Sequence, residues 1–153
     1  MANKYASLEV HAEATSRALQ KLASQMRDRR APNKAIAIQL HSWVLRNFDA
    51  EGALNKPWKS LSPKYAAWKA KKGYDQHILR LSGHLRDSYD IGFDNDSATV
   101  GTDLVYAEFH EKGLPERNLP ARPMLPPKAV ALQDSIDVYN LFLRNSVRSA
   151  NLK

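Results

Sequence analysis

Apolar residues recur at helical spacing near both ends of this 153-residue chain and at alternate positions in its middle. One period cannot serve both helices and strands, so the pattern predicts an α+β domain. The clearest stripe is Leu8, Ala12, Thr15, Leu19, Leu22 and Met26, at intervals of 4, 3, 4, 3 and 4. It predicts a helix over about residues 7–28 with Ser7 as N-cap. Glu9 and Glu13 come early and Arg17 and Lys21 late, as the helix dipole favours, and Glu13–Arg17 has the spacing of an i,i+4 pair. Pro32 disfavours helix at Ala31, and Asn33 is the expected cap of a second helix. Ile36, Leu40, Trp43, Val44 and Phe48 form its stripe, ending near Gly52. Two stripes joined by a short breaker predict an antiparallel helical pair over residues 1–50.

Residues 50–62 read as a loop, punctuated by Gly52 and Pro57. Ser62-Pro63 is a helix start, and Lys64–Lys72 a short helix closed at Gly73. Ser82-Gly83 predicts a tight turn feeding a strand over 85–93. Tyr89, Ile91 and Phe93 alternate with Asp90, Gly92 and Asp94, while Ala98 and Val100 alternate with Thr99 and Gly101. With Asp94-Asn95-Asp96-Ser97 between them, these strands predict a β-hairpin. Val105 to Glu111 reads as a short helix closed by Gly113, in which Tyr106 and Phe109 pack on the sheet and His110 bonds nearby backbone. Residues 115–127 hold five of the eight prolines, which forces an extended or turn-rich path. Leu132, Ile136, Tyr139 and Leu143, spaced 4, 3 and 4, mark a last helix. The expected architecture is a single domain over 1–153, with a small antiparallel sheet flanked by several helices.

Composition removes whole classes of chemistry. The chain has no cysteine, which excludes disulfides, thiolate-bound zinc, iron–sulfur clusters and a Cys nucleophile. No apolar run approaches the ~20 residues needed to cross a bilayer. Nothing after Met1-Ala2-Asn3-Lys4-Tyr5 reads as a secretory signal, so the expectation is a soluble domain made in a cytoplasm. A chain of this length buries roughly 70% of its unfolded surface, enough for one core. Neither a Gly-x-Ser-x-Gly elbow nor a phosphate-binding glycine loop occurs. His11, His41, His77, His84 and His110 have no zinc-helix spacing and read as surface or capping residues. Asp87, Asp90, Asp94 and Asp96 suggest a metal-dependent nuclease, but alternation puts the last three on a solvated face and turn.

Charge is more informative. The net charge is +7, and it is segregated. Between Glu51 and Asp75 lie Lys56, Lys59, Lys64, Lys69, Lys71 and Lys72 with no acid, a stretch of +6. From Asp87 to Glu116 eight acids (Asp87, Asp90, Asp94, Asp96, Asp103, Glu108, Glu111, Glu116) meet one base, Lys112, a stretch of −7. Three readings stand. The stretches are two solvated faces; or a basic patch of one copy meets the acidic patch of the next in a head-to-tail ring; or the lysine run binds nucleic acid, with Tyr65, Trp68 and Tyr74 as stacking platforms. Against the last, the spacing of Trp58, Tyr65 and Trp68 suits core packing. Arg122 between Pro120 and Pro123 is placed to aim a guanidinium at a carboxylate, in its own chain or across an interface.

Four motifs succeed one another: Trp58-Lys59-Ser60-Leu61-Ser62, Leu81-Ser82-Gly83-His84-Leu85, Tyr106-Ala107-Glu108-Phe109-His110-Glu111-Lys112-Gly113 and Pro120-Ala121-Arg122-Pro123-Met124-Leu125. In this order they resemble the virion morphogenesis or tail completion family of tailed bacteriophages. The resemblance covers about residues 50–130, with a helical N-terminus of suitable kind. It implies a tail-completion-like α+β core over 51–153 and a non-enzymatic structural protein of the virion without cofactor or metal. It further implies a hexameric ring of copies at the head–tail junction, touching the tail tube and head-side neck proteins, with DNA passing through and no membrane. On this reading the partner-binding residues are the six lysines, Asp90, Asp94, Asp96 and Arg122, and the proline-rich 115–127 segment is an arm reaching the neighbour.

Overall fold

The second stripe builds the spine of the molecule. In the computed structural model, which describes residues 12–150, helix α2 (Arg30–Asp49) buries Ile36, Ala37, Leu40, Trp43, Val44 and Phe48 along one side. Pro32, lacking an N–H, fits the first turn of α2, where that donor has no helical partner. Asn33 is therefore inside the helix rather than its cap. It is buried, donating from Nδ2 to the Asp94 carbonyl at 2.8 Å and accepting from the Tyr139 hydroxyl at 2.7 Å.

A hairpin of β1 (Asp90–Phe93) and β2 (Ala98–Gly101) lies across α2, in the register Asp90↔Gly101 to Phe93↔Ala98. Helix α3 (Pro63–Lys71) opens on Ser62, whose hydroxyl accepts from the Tyr65 N–H, and Gly73 just past its end has φ +72°. After the Gly83 turn (φ +83°) comes a four-residue helix, α4 (His84–Asp87), so the strand begins five residues later than the expected 85. Leu85 drops into the core from α4, a position the extended reading places on a strand face. Helix α5 (Val105–Lys112) ends on Gly113 (φ +79°), and a 3-10 turn (Pro115–Arg117) and α6 (Lys128–Ser149) come after it.

The core centres on Phe48, which meets Trp58 edge-on at 5.4 Å and Tyr89 at 6.0 Å between ring centroids. Val44, Ile78, Leu85, Ala107 and Met124 close around them. Removing a ring from such a cluster costs about 3–5 kcal/mol.

Two helices behave otherwise than their stripes suggest. Helix α1 (Glu13–Arg27) docks on α6, not back along α2, so the antiparallel N-terminal pair does not form among the described residues. Only Asp28 and Arg29 separate α1 from α2, and the extended Asp28 (φ −90°, ψ 99°) sets the course on which α2 leaves α1. Lys21 Nζ donates to the Ser149 carbonyl at 2.6 Å, and Gln25 meets the Ser149 hydroxyl. The expected cap Ser7 and the first stripe residue, Leu8, lie outside the described residues. The α6 stripe is not a core face either: Leu132, Ile136 and Leu143 face solvent, while Ser146 and Ala150 are buried.

Candidate functional site

The four motif segments, far apart in sequence, meet at one cleft of about 860 Å³. Its walls are Lys59–Pro63 with Tyr65 and Lys69 of α3, the Leu79–Leu85 turn, Tyr106 and His110 of α5, and Asn118–Pro120 with Arg122. Among these lining residues are Lys59, Lys69, Arg80, His84, His110 and Arg122, and no carboxylate.

Residues 119–125 form a strap that borders the cleft through Leu119, Pro120 and Arg122 and is tied down at several points. Leu114 and Leu119 pair their backbones, and the Arg122 N–H donates to the His110 carbonyl at 2.7 Å. The Pro123 carbonyl accepts from Trp58 Nε1 at 2.9 Å and Asn47 Nδ2 at 3.0 Å. Glu111 accepts from the Met124 N–H at 2.6 Å and the Leu125 N–H at 3.3 Å. This part of the proline-rich segment is therefore core structure rather than a free arm. Its prolines leave few backbone donors to satisfy; Glu111 of α5 accepts from two of these, while Asn47 of α2 and Trp58 donate to the Pro123 carbonyl. Gly113 is required where the strap returns, since a Cβ there would stand 2.7 Å from the Ala121 nitrogen.

Arg122 is buried and, among the described residues, is in no ion pair with a carboxylate. Its Nε and Nη2 both donate to the Lys59 carbonyl, at 3.3 and 2.9 Å, pinning the Trp58–Ser62 segment to the strap. Lys69 is also not a surface charge. It is 1% exposed, and its ammonium donates to the carbonyls of His77 and Arg80 at 2.8 and 2.9 Å. Burial holds its pKa below the usual lysine value. Arg80 is ion-paired with Asp49. Nothing in the sequence distinguishes Lys69 from Lys71 or Lys72 except its place seven residues after Ser62, on the inward side of α3.

Lys56, Lys59, Lys64, Lys71 and Lys72 are exposed, and none is in an ion pair among the described residues. The aromatic residues beside them are not core. Tyr65, Trp68 and Tyr74 are 41, 41 and 40% exposed and form a row with centroids 5.4 Å apart at each step, Tyr65 stacked on Trp68 at 20° and Tyr74 tilted against it at 37°. Only Trp58 packs inside. On α5, likewise, Ala107 is the buried residue, whereas Tyr106 and Phe109 face outward.

The acidic stretch is largely engaged within the chain. Asp94 Oδ1 caps the hairpin turn, accepting from the N–H groups of Asp96 and Ser97 at 2.7 Å each, which holds its pKa low. Asp96 pairs with Arg29 at 2.5 Å, Asp90 accepts from the Ile91 N–H, and Glu108 pairs with Lys112. Turn chemistry explains these aspartates without a metal, and among the described residues no three His, Asp or Glu side chains gather to hold one.

His110 is half buried and its Nδ1 has no hydrogen-bond partner among the described residues, contrary to the backbone bond expected of its ring. Burial first, then the Arg122 charge, pushes its pKa below the ordinary histidine value. Its unfolded state therefore takes up a proton at higher pH than the native state, and His110 withdraws stability as pH falls. Glu111, raised by burial, acts with the opposite sign, withdrawing stability as pH rises through the carboxylate range. The stability advantage of the wild type over His110→Gln should accordingly shrink between about pH 8 and about pH 5, as read by thermal melts. An advantage unchanged across that span would contradict the burial account.

The fold is thus a helical α+β domain with a cleft lined by Lys, Arg and His side chains and no carboxylate. The chain matches the phage virion morphogenesis family over residues 10–143, and it belongs to that family. It is similar to the putative capsid assembly protein G of Escherichia phage Mu, with 31% identity over 117 residues covering 71% of this chain and 74% of that protein. No solved structure matches it. Its role lies in phage morphogenesis, and among the described residues no helix is long and apolar enough to cross a membrane.

Proposed function

We propose that this protein is a structural component of the head–tail junction that completes or terminates the tail as a ring of like copies, six in the reading developed from its motifs. On this reading it contacts the tail tube and the head-side neck proteins, DNA passes through the ring, and no substrate is transformed. The observation that carries it is the cleft: six nitrogen-bearing side chains line it without a carboxylate, beside four further exposed lysines, Lys56, Lys64, Lys71 and Lys72. Asp90, Asp103 and Glu116 stay exposed elsewhere, so one copy offers carboxylates and the next a groove to receive them. Membership of a morphogenesis family supports the setting.

The test is complementation of a phage deleted for this gene. Lys59→Glu/His84→Glu changes only exposed side chains at the cleft rim, so it should fold normally yet fail to restore infectivity. Full complementation would remove the cleft from the assembly interface.

The exposed Tyr65–Trp68–Tyr74 stack favours a second reading, contact with nucleic acid along α3. It expects DNA binding that weakens with salt and whose salt slope falls by about 3 when Lys64, Lys71 and Lys72 become glutamine. Lys69 is not part of this test, because its ammonium holds backbone. Absence of binding at low salt would remove the reading.

A further inference from the structure

Helix α6 carries an apolar stripe that its own fold leaves open. Leu132, Ile136, Leu143 and Val147 are 58, 44, 41 and 36% exposed. At 100° per residue these four share an arc of about 60°. The flank of α6 beyond Leu132 is occupied: Tyr139, about 20° outside that arc, is bonded to Asn33 of α2, and Ser149, about 100° outside it, to Lys21 and Gln25 of α1. Elsewhere on the exposed surface Asp137 and Arg144 lie seven residues apart, on one flank of the stripe. Neither is in an ion pair among the described residues, and Asp137 accepts only from Gln133.

We propose that this stripe is the interface with a second copy of the chain, the two α6 helices packing antiparallel about a two-fold axis near Tyr139–Asn140. The register is self-complementary in both apolar and charged residues. An axis between residues 139 and 140 sets Leu132 opposite Val147 of the second copy and Ile136 opposite its Leu143. Antiparallel pairing also brings the same flank of the two helices together. Asp137 of each copy then stands two residues' rise, about 3 Å, along the axis from the other's Arg144, within reach of both side chains, so two ion pairs close symmetrically around an apolar seam. A parallel arrangement would put the Asp137–Arg144 flanks of the two copies on opposite edges of the seam and leave both residues unpaired. The seam occupies a different part of the molecule from the cleft, so the proposal stands apart from the ring.

The absence of native cysteine makes the test clean. Asn140→Cys puts one thiol beside the axis, within the Cα separation a disulfide accepts, and mild oxidation should give a covalent dimer on a non-reducing gel. Lys128→Cys, at the far end of the helix, should not. By light scattering the wild type should run at twice its 17.3 kDa, and Ile136→Glu/Leu143→Glu should run as a monomer with unchanged helical circular dichroism. Asp137→Arg should weaken the dimer, and adding Arg144→Asp should restore it. A wild type that stays monomeric at about 100 μM overturns the proposal. So does an oligomer indifferent to Ile136→Glu/Leu143→Glu, which would assign self-association to another face.

Discussion

Gly52→Ala is expected to lower the melting temperature by more than about 10 °C. Gly52 has φ +87°, a conformation that costs a residue with a Cβ about 1–2 kcal/mol. The larger cost is steric. A Cβ there would overlap Trp58 Cδ1 and lie 2.5 Å from the Lys56 carbonyl oxygen. Trp58 cannot retreat, because its ring is buried against Phe48 and its Nε1 holds the Pro123 carbonyl. Displacing it strains the core and the strap together, for a total of about 4 kcal/mol. Gly73→Ala supplies the control. Its φ is +72° but nothing lies within 4 Å of the added Cβ, so only the backbone cost of about 1 kcal/mol remains. Equal effects at the two glycines in differential scanning calorimetry would show that contact with Trp58 is not what fixes Gly52.

Lys69→Ala is expected to cost about 3 kcal/mol, or roughly 6–12 °C in a chain of this size. Its ammonium is the donor for the His77 and Arg80 carbonyls, which bracket Leu79 in a left-handed conformation (φ +57°). Without that clamp two carbonyls lose their partner and the strained turn at the cleft wall loses its restraint. The loss is partly offset, since an ammonium no longer has to be buried without a carboxylate partner. Lys69→Met keeps the packing of the aliphatic stem but not the donors, so its loss should fall between wild type and alanine. Methionine as stable as lysine would mean that the stem, not the ammonium, holds the turn.

The residues legible in the sequence are those whose role is local. Ile36 to Phe48, Ser62-Pro63, the Asp94–Ser97 turn and Gly113 stand as their spacing and chemistry require, because helix period, cap and turn are decided within a few residues. The stripes of α1 and α6 are legible as helices but not as to what covers them. Periodicity reports that a face is apolar, not whether its partner lies in the same chain. Lys69 and Arg122 read as charges for a partner because charge counting takes no account of burial. Their carbonyl partners, at His77, Arg80 and Lys59, become neighbours only once the strap and the 74–80 turn have folded. The same holds for the cleft. Its motifs can be ordered along the chain, whereas their convergence depends on long-range packing around Phe48.

Electron microscopy of particles from a phage lacking this gene bears most directly on the claim that the chain is a building block of the head–tail junction. The account expects filled heads separate from tails, or tails of irregular length, with joined particles restored by the wild-type protein in trans. Normal joined, infectious particles in its absence would contradict it.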